Sequence, residues 1–148
     1  MPKFGRTSRS HLETCHPDLQ TLFNAVIEVV DCSVTCGYRN KEDQEEAFDK
    51  GNSKVHYPHG KHNSNPSTAV DVYPYPISFK DDDLPRYYWF AGWVLAKAEI
   101  LRNVGEITNK IKWGGNWRGL NNGKIDFSYN KLPKVLDDLP HFELIPND

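Results

Sequence analysis

Two short stretches far apart in the chain carry ionisable groups at positions where a buried strand should hold none. In the first, His62-Asn63-Ser64-Asn65-Pro66-Ser67-Thr68-Ala69-Val70-Asp71-Val72-Tyr73-Pro74-Tyr75, a loop runs into a strand interrupted by a carboxylate. In the second, Asp138-Leu139-Pro140-His141-Phe142-Glu143-Leu144, a strand opens on a histidine with an acid just ahead of it. Strand side chains alternate between faces, so Ala69, Asp71 and Tyr73 point one way and Val70 and Val72 the other. His141 and Glu143 likewise lie opposite Phe142 and Leu144. With both apolar pairs facing the core, Asp71 and His141 converge on the other side of a shared sheet, and His62 can reach that cleft from its loop.

A buried carboxylate without a partner is costly, so Asp71 requires a cation or strong donors. Two imidazoles and a carboxylate, with a spare acid beside the last ligand, suit a hydrolytic zinc site that keeps one coordination position open. Residue chemistry alone leaves other readings standing. Asp71 can pair with Arg39 or Lys54, and His141 can be a strand histidine bonded to a backbone carbonyl. His56, His59 and His62 share a polar loop in which Pro58 and Gly60 argue against a helix, so spacing does not separate His59 from His62 as the upstream ligand.

The remaining bounds are broad. At 148 residues the chain is expected to form one domain, 1–148, burying roughly two thirds of its unfolded surface. No run approaches the ~20 apolar residues of a membrane span. The opening Met1-Pro2-Lys3-Phe4-Gly5-Arg6-Thr7-Ser8 lacks the apolar core of a signal peptide, so synthesis in a cytoplasm is expected, with another route of release for any work outside it. Net charge is −2, with basic and acidic residues interspersed, which leaves nucleic-acid binding without an electrostatic footprint. Cys15, Cys32 and Cys36 are an odd set without a secretion signal. They read as reduced, small buried residues rather than a disulfide framework, a metal site or a Cys/His nucleophile.

Along the chain, Leu19, Leu22, Phe23, Val26, Ile27 and Val30 fall on one helical face behind His16-Pro17-Asp18. Ser33 to Arg39 read as a strand, Lys41 to Lys50 as a short helix ended by Gly51, and Asn52 to Ser67 as a loop. Ala69 to Tyr75 read as a strand and Arg86 to Asn103 as a long helix entered through the acidic run Asp81-Asp82-Asp83. Ile111 to Trp113 and His141 to Ile145 are strands, with Asn116 to Leu136 irregular between them. This order predicts an α+β fold: a small, mostly antiparallel sheet with helices packed against it.

Five ordered segments carry a family resemblance from residue 4 to about residue 145. They are Phe4-Gly5…Ser8…Leu12…His16-Pro17-Asp18-Leu19; Gly37-Tyr38-Arg39…Gln44; Gly60-Lys61-His62-Asn63…Pro66-Ser67…Ala69-Val70-Asp71-Val72…Pro74-Tyr75; Trp113-Gly114-Gly115-Asn116-Trp117; and Asp138-Leu139-Pro140-His141-Phe142-Glu143. Together they resemble the zinc peptidases of phage endolysins, L-alanyl-D-glutamate endopeptidases whose wider relatives include D-alanyl-D-alanine carboxypeptidases and the hedgehog signalling domain. The resemblance implies that His62, Asp71 and His141 bind Zn²⁺, that Asp138 is the catalytic acid/base, and that Arg39 steadies the substrate or the developing oxyanion. Glu143 is a candidate to orient a ligand histidine. Tyr73, Tyr75, Trp113 and Trp117 are candidate groove aromatics for substrate, although core packing explains Trp113 at least as well, and Gln44 reads as a surface or local hydrogen-bond residue with a substrate contact as the alternative. Gly60 stands where many relatives have a substrate-contacting Ser, and Asn116 where the family often has an acid. Arg118 to Tyr129 holds only Asp126 as an acid, so calcium regulation is not expected.

The implied activity is zinc-dependent cleavage of the L-alanyl-D-glutamate bond in the peptidoglycan stem peptide, by a monomer acting on the wall after release from the host cytoplasm. A D-alanyl-D-alanine carboxypeptidase with the same site and a non-catalytic zinc-stabilised wall-binding module are the rival readings. Retention of Asp138 favours an enzyme, because a purely structural site needs no spare acid.

Overall fold

The computed structural model describes residues 1–116 and 138–145. Among the described residues, four α-helices and four strands follow one another as α1 (Arg6–Leu12), α2 (Pro17–Ile27), β1 (Cys32–Cys36), α3 (Lys41–Asp49), β2 (Ala69–Pro74), α4 (Leu84–Asn103), β3 (Lys110–Trp113) and β4 (His141–Ile145). The strands form one open antiparallel sheet in the order β1-β2-β4-β3. The α+β architecture is therefore the expected one, with element ends shifted by a few residues. Asn116 to Leu136, expected to be irregular, lies outside the described residues after its first position, as do Trp117 and the segment 118–129.

Alternation decides which face of the sheet is covered. Val70, Val72, Phe142 and Leu144 are buried on one side beneath α2 and α4. Phe142 sits at the centre, edge-on to Phe23 of α2 (centroids 5.5 Å apart) and to Phe90 of α4 (6.1 Å). Helix α2 starts where the sequence signals it. His16 Nδ1 accepts the Asp18 N–H at 3.0 Å, and Pro17 occupies the first turn, where its missing N–H costs nothing. The Asp18 carboxylate in turn accepts the backbone N–H groups of Thr108 and Asn109, tying the helix start to the entry of β3. Helix α4 begins at Leu84, two residues earlier than expected, because Pro85 is tolerated in a first turn.

Helix α1 was not among the expected helices. It lies along β1, an edge strand, and Ser8 Oγ accepts the Val34 N–H at 3.0 Å. That bond occupies a backbone donor that would otherwise face a stray strand, and it gives the N-terminal Phe4-Gly5…Ser8 segment a structural purpose. Among the described residues no helix is long and apolar enough to cross a membrane.

Candidate metal centre

The face of the sheet opposite α2 and α4 carries the ionisable residues. Asp71 is the direct cross-strand partner of both Cys36 on β1 and His141 on β4, so these three form a row across the sheet. His62 enters from the short 3₁₀ turn Lys61–Asn63. Its Nε2 lies 3.3 Å from Asp71 Oδ1 and 3.3 Å from His141 Nδ1, and His141 Nδ1 lies 3.2 Å from the same Oδ1. His59 is exposed, so the histidine that joins Asp71 and His141 is His62.

The other nitrogen of each imidazole is already committed. His62 Nδ1 faces the Gly37 carbonyl at 2.8 Å, and His141 Nε2 faces Glu143 Oε1 at 3.0 Å. Both acceptors require a proton on the nitrogen they face, which in a neutral ring leaves a bare lone pair on the nitrogen turned toward Asp71. Three acceptor atoms thus point at one another. Ligands held at about 2.0–2.2 Å around a tetrahedral ion lie about 3.3–3.6 Å apart, close to the separations found here.

Without an ion, protons must take its place. For His62, burial opposes the charged ring, but the charge and hydrogen bond of Asp71 outweigh it and raise the pKa to about 10. For His141, burial is again outweighed, here by hydrogen bonds to Asp71 and Glu143, and the pKa rises to about 9. Asp71 itself is held well below the usual carboxylate range: its burial is overcome by the positive charge and hydrogen bonds of the two histidines. The cluster is a strongly cation-seeking cradle.

Cys36 is the member that sequence reasoning missed. Alternation from Cys32 and Val34 assigns it to the core face. A β-bulge between Val34 and Cys36 adds a residue to β1, however, and brings Cys36 opposite Asp71. It is half-buried, with its Sγ 3.7 Å from His62 Nδ1. Cys36, His62 and Asp71 each bring one potential ligand atom within 4.8 Å of the others, a group able to hold a metal ion. Cys15 and Cys32 are small buried residues as expected, and burial pushes both thiols up to about 12.

Arg39 stands at the rim, its Nη2 3.9 Å from Asp71 Oδ2 and 3.6 Å from Cys36 Sγ. Its Nη1 donates to Gln44 Oε1 at 3.1 Å. Gln44 is fully buried and its amide is spent within the protein, in the kind of local hydrogen-bond network that its sequence position suggested beside a substrate contact. Gly60 is explained by the same network. A Cβ there would lie 2.6 Å from Asn63 Oδ1 and 3.0 Å from Gln44 Oε1, and the Gly60 N–H donates to that Asn63 oxygen.

Asp138 opens the turn before β4. Its side chain is exposed, its carbonyl accepts the His141 N–H at 3.0 Å, and its φ of 68° is left-handed. Asp tolerates that region better than most residues, and such conformers persist where packing imposes them. Here the packing comes from Gly114, where a Cβ would fall 2.1 Å from the Asp138 carbonyl oxygen. Trp113 is 1% exposed and its Nε1–H donates to Leu139 O at 2.6 Å, which is the core placement weighed beside a groove role. Tyr73 does remain on the Asp71 face, half-buried and edge-on to Phe79. Burial, with the Asp71 charge added, keeps its hydroxyl protonated.

The model of the phage L-alanyl-D-glutamate peptidase family matches residues 1–145. Among solved structures, the L-Ala D-Glu endopeptidase ChiX of Serratia marcescens superposes with a TM-score of 0.62 at 23% identity, covering 97% of this chain and 90% of that one. At that identity the likeness speaks for the fold. No curated protein matches the chain.

Proposed function

The chain belongs to the phage L-alanyl-D-glutamate peptidase family, and from that premise we propose that it is a single-domain, zinc-dependent endolysin whose ion is held by His62 Nε2, Asp71 Oδ1 and His141 Nδ1. The observation that carries the ligand set is the mutual approach of these three atoms at 3.2–3.3 Å while both outer imidazole nitrogens face acceptors. Cys36 approaches His62 on the Nδ1 side, which the Gly37 carbonyl already occupies. This favours His141 as the third ligand.

Zinc in such a site supplies Lewis acidity toward a peptide carbonyl and makes water a competent nucleophile near neutral pH. The chain's own residues do the rest. Asp138, exposed at the start of β4, takes the proton released as water attacks the carbonyl and returns it to the departing amine of D-glutamate. A positioned acid/base of this kind contributes about 10²–10⁴ in rate. Arg39 directs its guanidinium to the oxygen that gains negative charge, where one good donor is worth roughly 3 kcal/mol. The Gly37 carbonyl and Glu143 keep the two imidazoles in the tautomers that leave their lone pairs facing inward. Tyr73, beside Asp71, borders the stem peptide.

The test is metal analysis joined to wall digestion with and without a chelator. One equivalent of zinc, chelator-sensitive digestion and new D-glutamate amino termini support the reading. Release of D-alanine alone would replace it with a carboxypeptidase, and tight wall binding without any new termini would replace it with a binding module.

A further inference from the structure

Gln44 is the single buried residue of α3, a helix otherwise made of charged and half-exposed positions. A fully buried amide in such a helix needs a reason, and its four hydrogen bonds supply one. Its Nε2 donates to Ser53 Oγ and to the Val55 carbonyl, both at 2.8 Å. Its Oε1 accepts from Arg39 Nη1 at 3.1 Å and from Asn63 Nδ2 at 3.0 Å. Asn63 Nδ2 also donates to the Arg39 carbonyl at 3.0 Å, and the Arg39 N–H donates to the His62 carbonyl at 2.8 Å. The arginine and the His62 turn are therefore joined at both backbone and side chain, with the Gln44 oxygen as the shared anchor. Fully satisfied buried polar networks of this kind are rigid and select one geometry.

We infer that Gln44 is a positioning residue. Through its Oε1 it holds one nitrogen of the Arg39 guanidinium, leaving the opposite edge directed at the Asp71 rim, where a substrate oxygen gains charge. The inference rests on the proposed peptidase reading and adds to it the device that fixes Arg39. An arginine side chain free to rotate would spend most of its time elsewhere, and small misplacements of a stabilising group are costly in rate. Gly60 belongs to the same device, since a side chain there would push Asn63 and Gln44 apart.

The experiment is a double-mutant cycle on stem-peptide cleavage with zinc content measured in each variant. Gln44→Met is expected to lower kcat about tenfold with KM and zinc content near the parent values, and to cost nothing further once Arg39→Ala is in place. Gln44→Glu keeps the acceptor for Arg39 but gives up the donors to Ser53 and Val55, so it is expected to lose stability yet retain most of kcat. Independent, multiplying effects of Gln44→Met and Arg39→Ala would overturn the inference, as would equal loss of kcat in the Met and Glu variants. Should Gln44→Met not fold, the parent protein still decides. Slow rotation of the Arg39 guanidinium, seen as resolved Nη signals by NMR, is expected, and free rotation would overturn the anchoring. A parent without peptidase activity would instead refute the functional reading, with the arginine signals still testing Gln44.

Discussion

Glu143→Ala isolates the contribution of a carboxylate that bonds the outer nitrogen of His141. In the parent, Glu143 Oε1 sits 3.0 Å from His141 Nε2, which demands a proton there and leaves His141 Nδ1 bare toward Asp71 Oδ1 at 3.2 Å. Removing the carboxylate frees the ring to take the other tautomer. A proton on Nδ1 would then bond Asp71 directly and compete with the ion for both ligands at once. The Glu143 side chain is only 12% exposed, so solvent does little to weaken its hold on the ring. Partners of this kind typically carry about 10–100-fold in metal affinity, equivalent to roughly 1.4–2.7 kcal/mol. Zinc titration against a chromophoric chelator at fixed pH should therefore show Glu143→Ala weakened by about that factor. Glu143→Gln, which retains a carbonyl oxygen for the Nε2 proton, should lose less than about tenfold. An alanine variant binding zinc within about twofold of the parent would refute the tautomer argument, and with it the choice of His141 Nδ1 as a ligand atom.

Other variants separate metal holding from proton transfer. Asp138→Ala should keep its zinc by metal analysis while wall digestion falls by about 10²–10⁴; undiminished cleavage would remove Asp138 from the mechanism. His62→Ala should lose zinc and His59→Ala should not, and the reverse pattern would move the upstream ligand. Gly114→Ala places a methyl group where the Asp138 carbonyl lies, so it should retain zinc but lose at least about tenfold in activity, read by the same digestion assay. In the metal-free protein, His62 and His141 have folded pKa values of about 10 and 9, above the ordinary imidazole value. Their contribution to stability is thus complete below about pH 6.5 and is lost as pH rises through those values. Thermal melts of chelated protein should show a falling Tm between about pH 7 and 10. Zinc-loaded protein should resist that fall, because deprotonation is what its ligands require. Parallel pH profiles would contradict the assignment.

How much of this was legible in the sequence follows from the range of each signal. Alternation in Ala69–Tyr73 and His141–Leu144 is local, so the two strands, their core faces and the convergence of Asp71 with His141 could be read directly. The resemblance of five ordered segments separated His62 from His59, which spacing alone left equal. Helix α1 was hidden because its seven residues, Arg6–Leu12, bury only Leu12 and leave almost no apolar periodicity. For Gln44 and Trp113 the sequence left internal packing and substrate contact both open, because residue type does not reveal burial. The first saturates its amide with Arg39, Asn63, Ser53 and Val55, and the second lies in the core against Leu139.

Cys36 shows the limit most clearly. One extra residue in β1 reverses the face of everything after it, and a bulge leaves no mark in composition or periodicity. The reversal also has a consequence for the site. Without the bulge, Thr35 would oppose Asp71 and Gly37 would be displaced by one position along β1. The carbonyl that fixes the His62 tautomer would then no longer stand where His62 Nδ1 reaches it at 2.8 Å. The irregularity that defeated the alternation argument for Cys36 is therefore part of what aims His62 at Asp71.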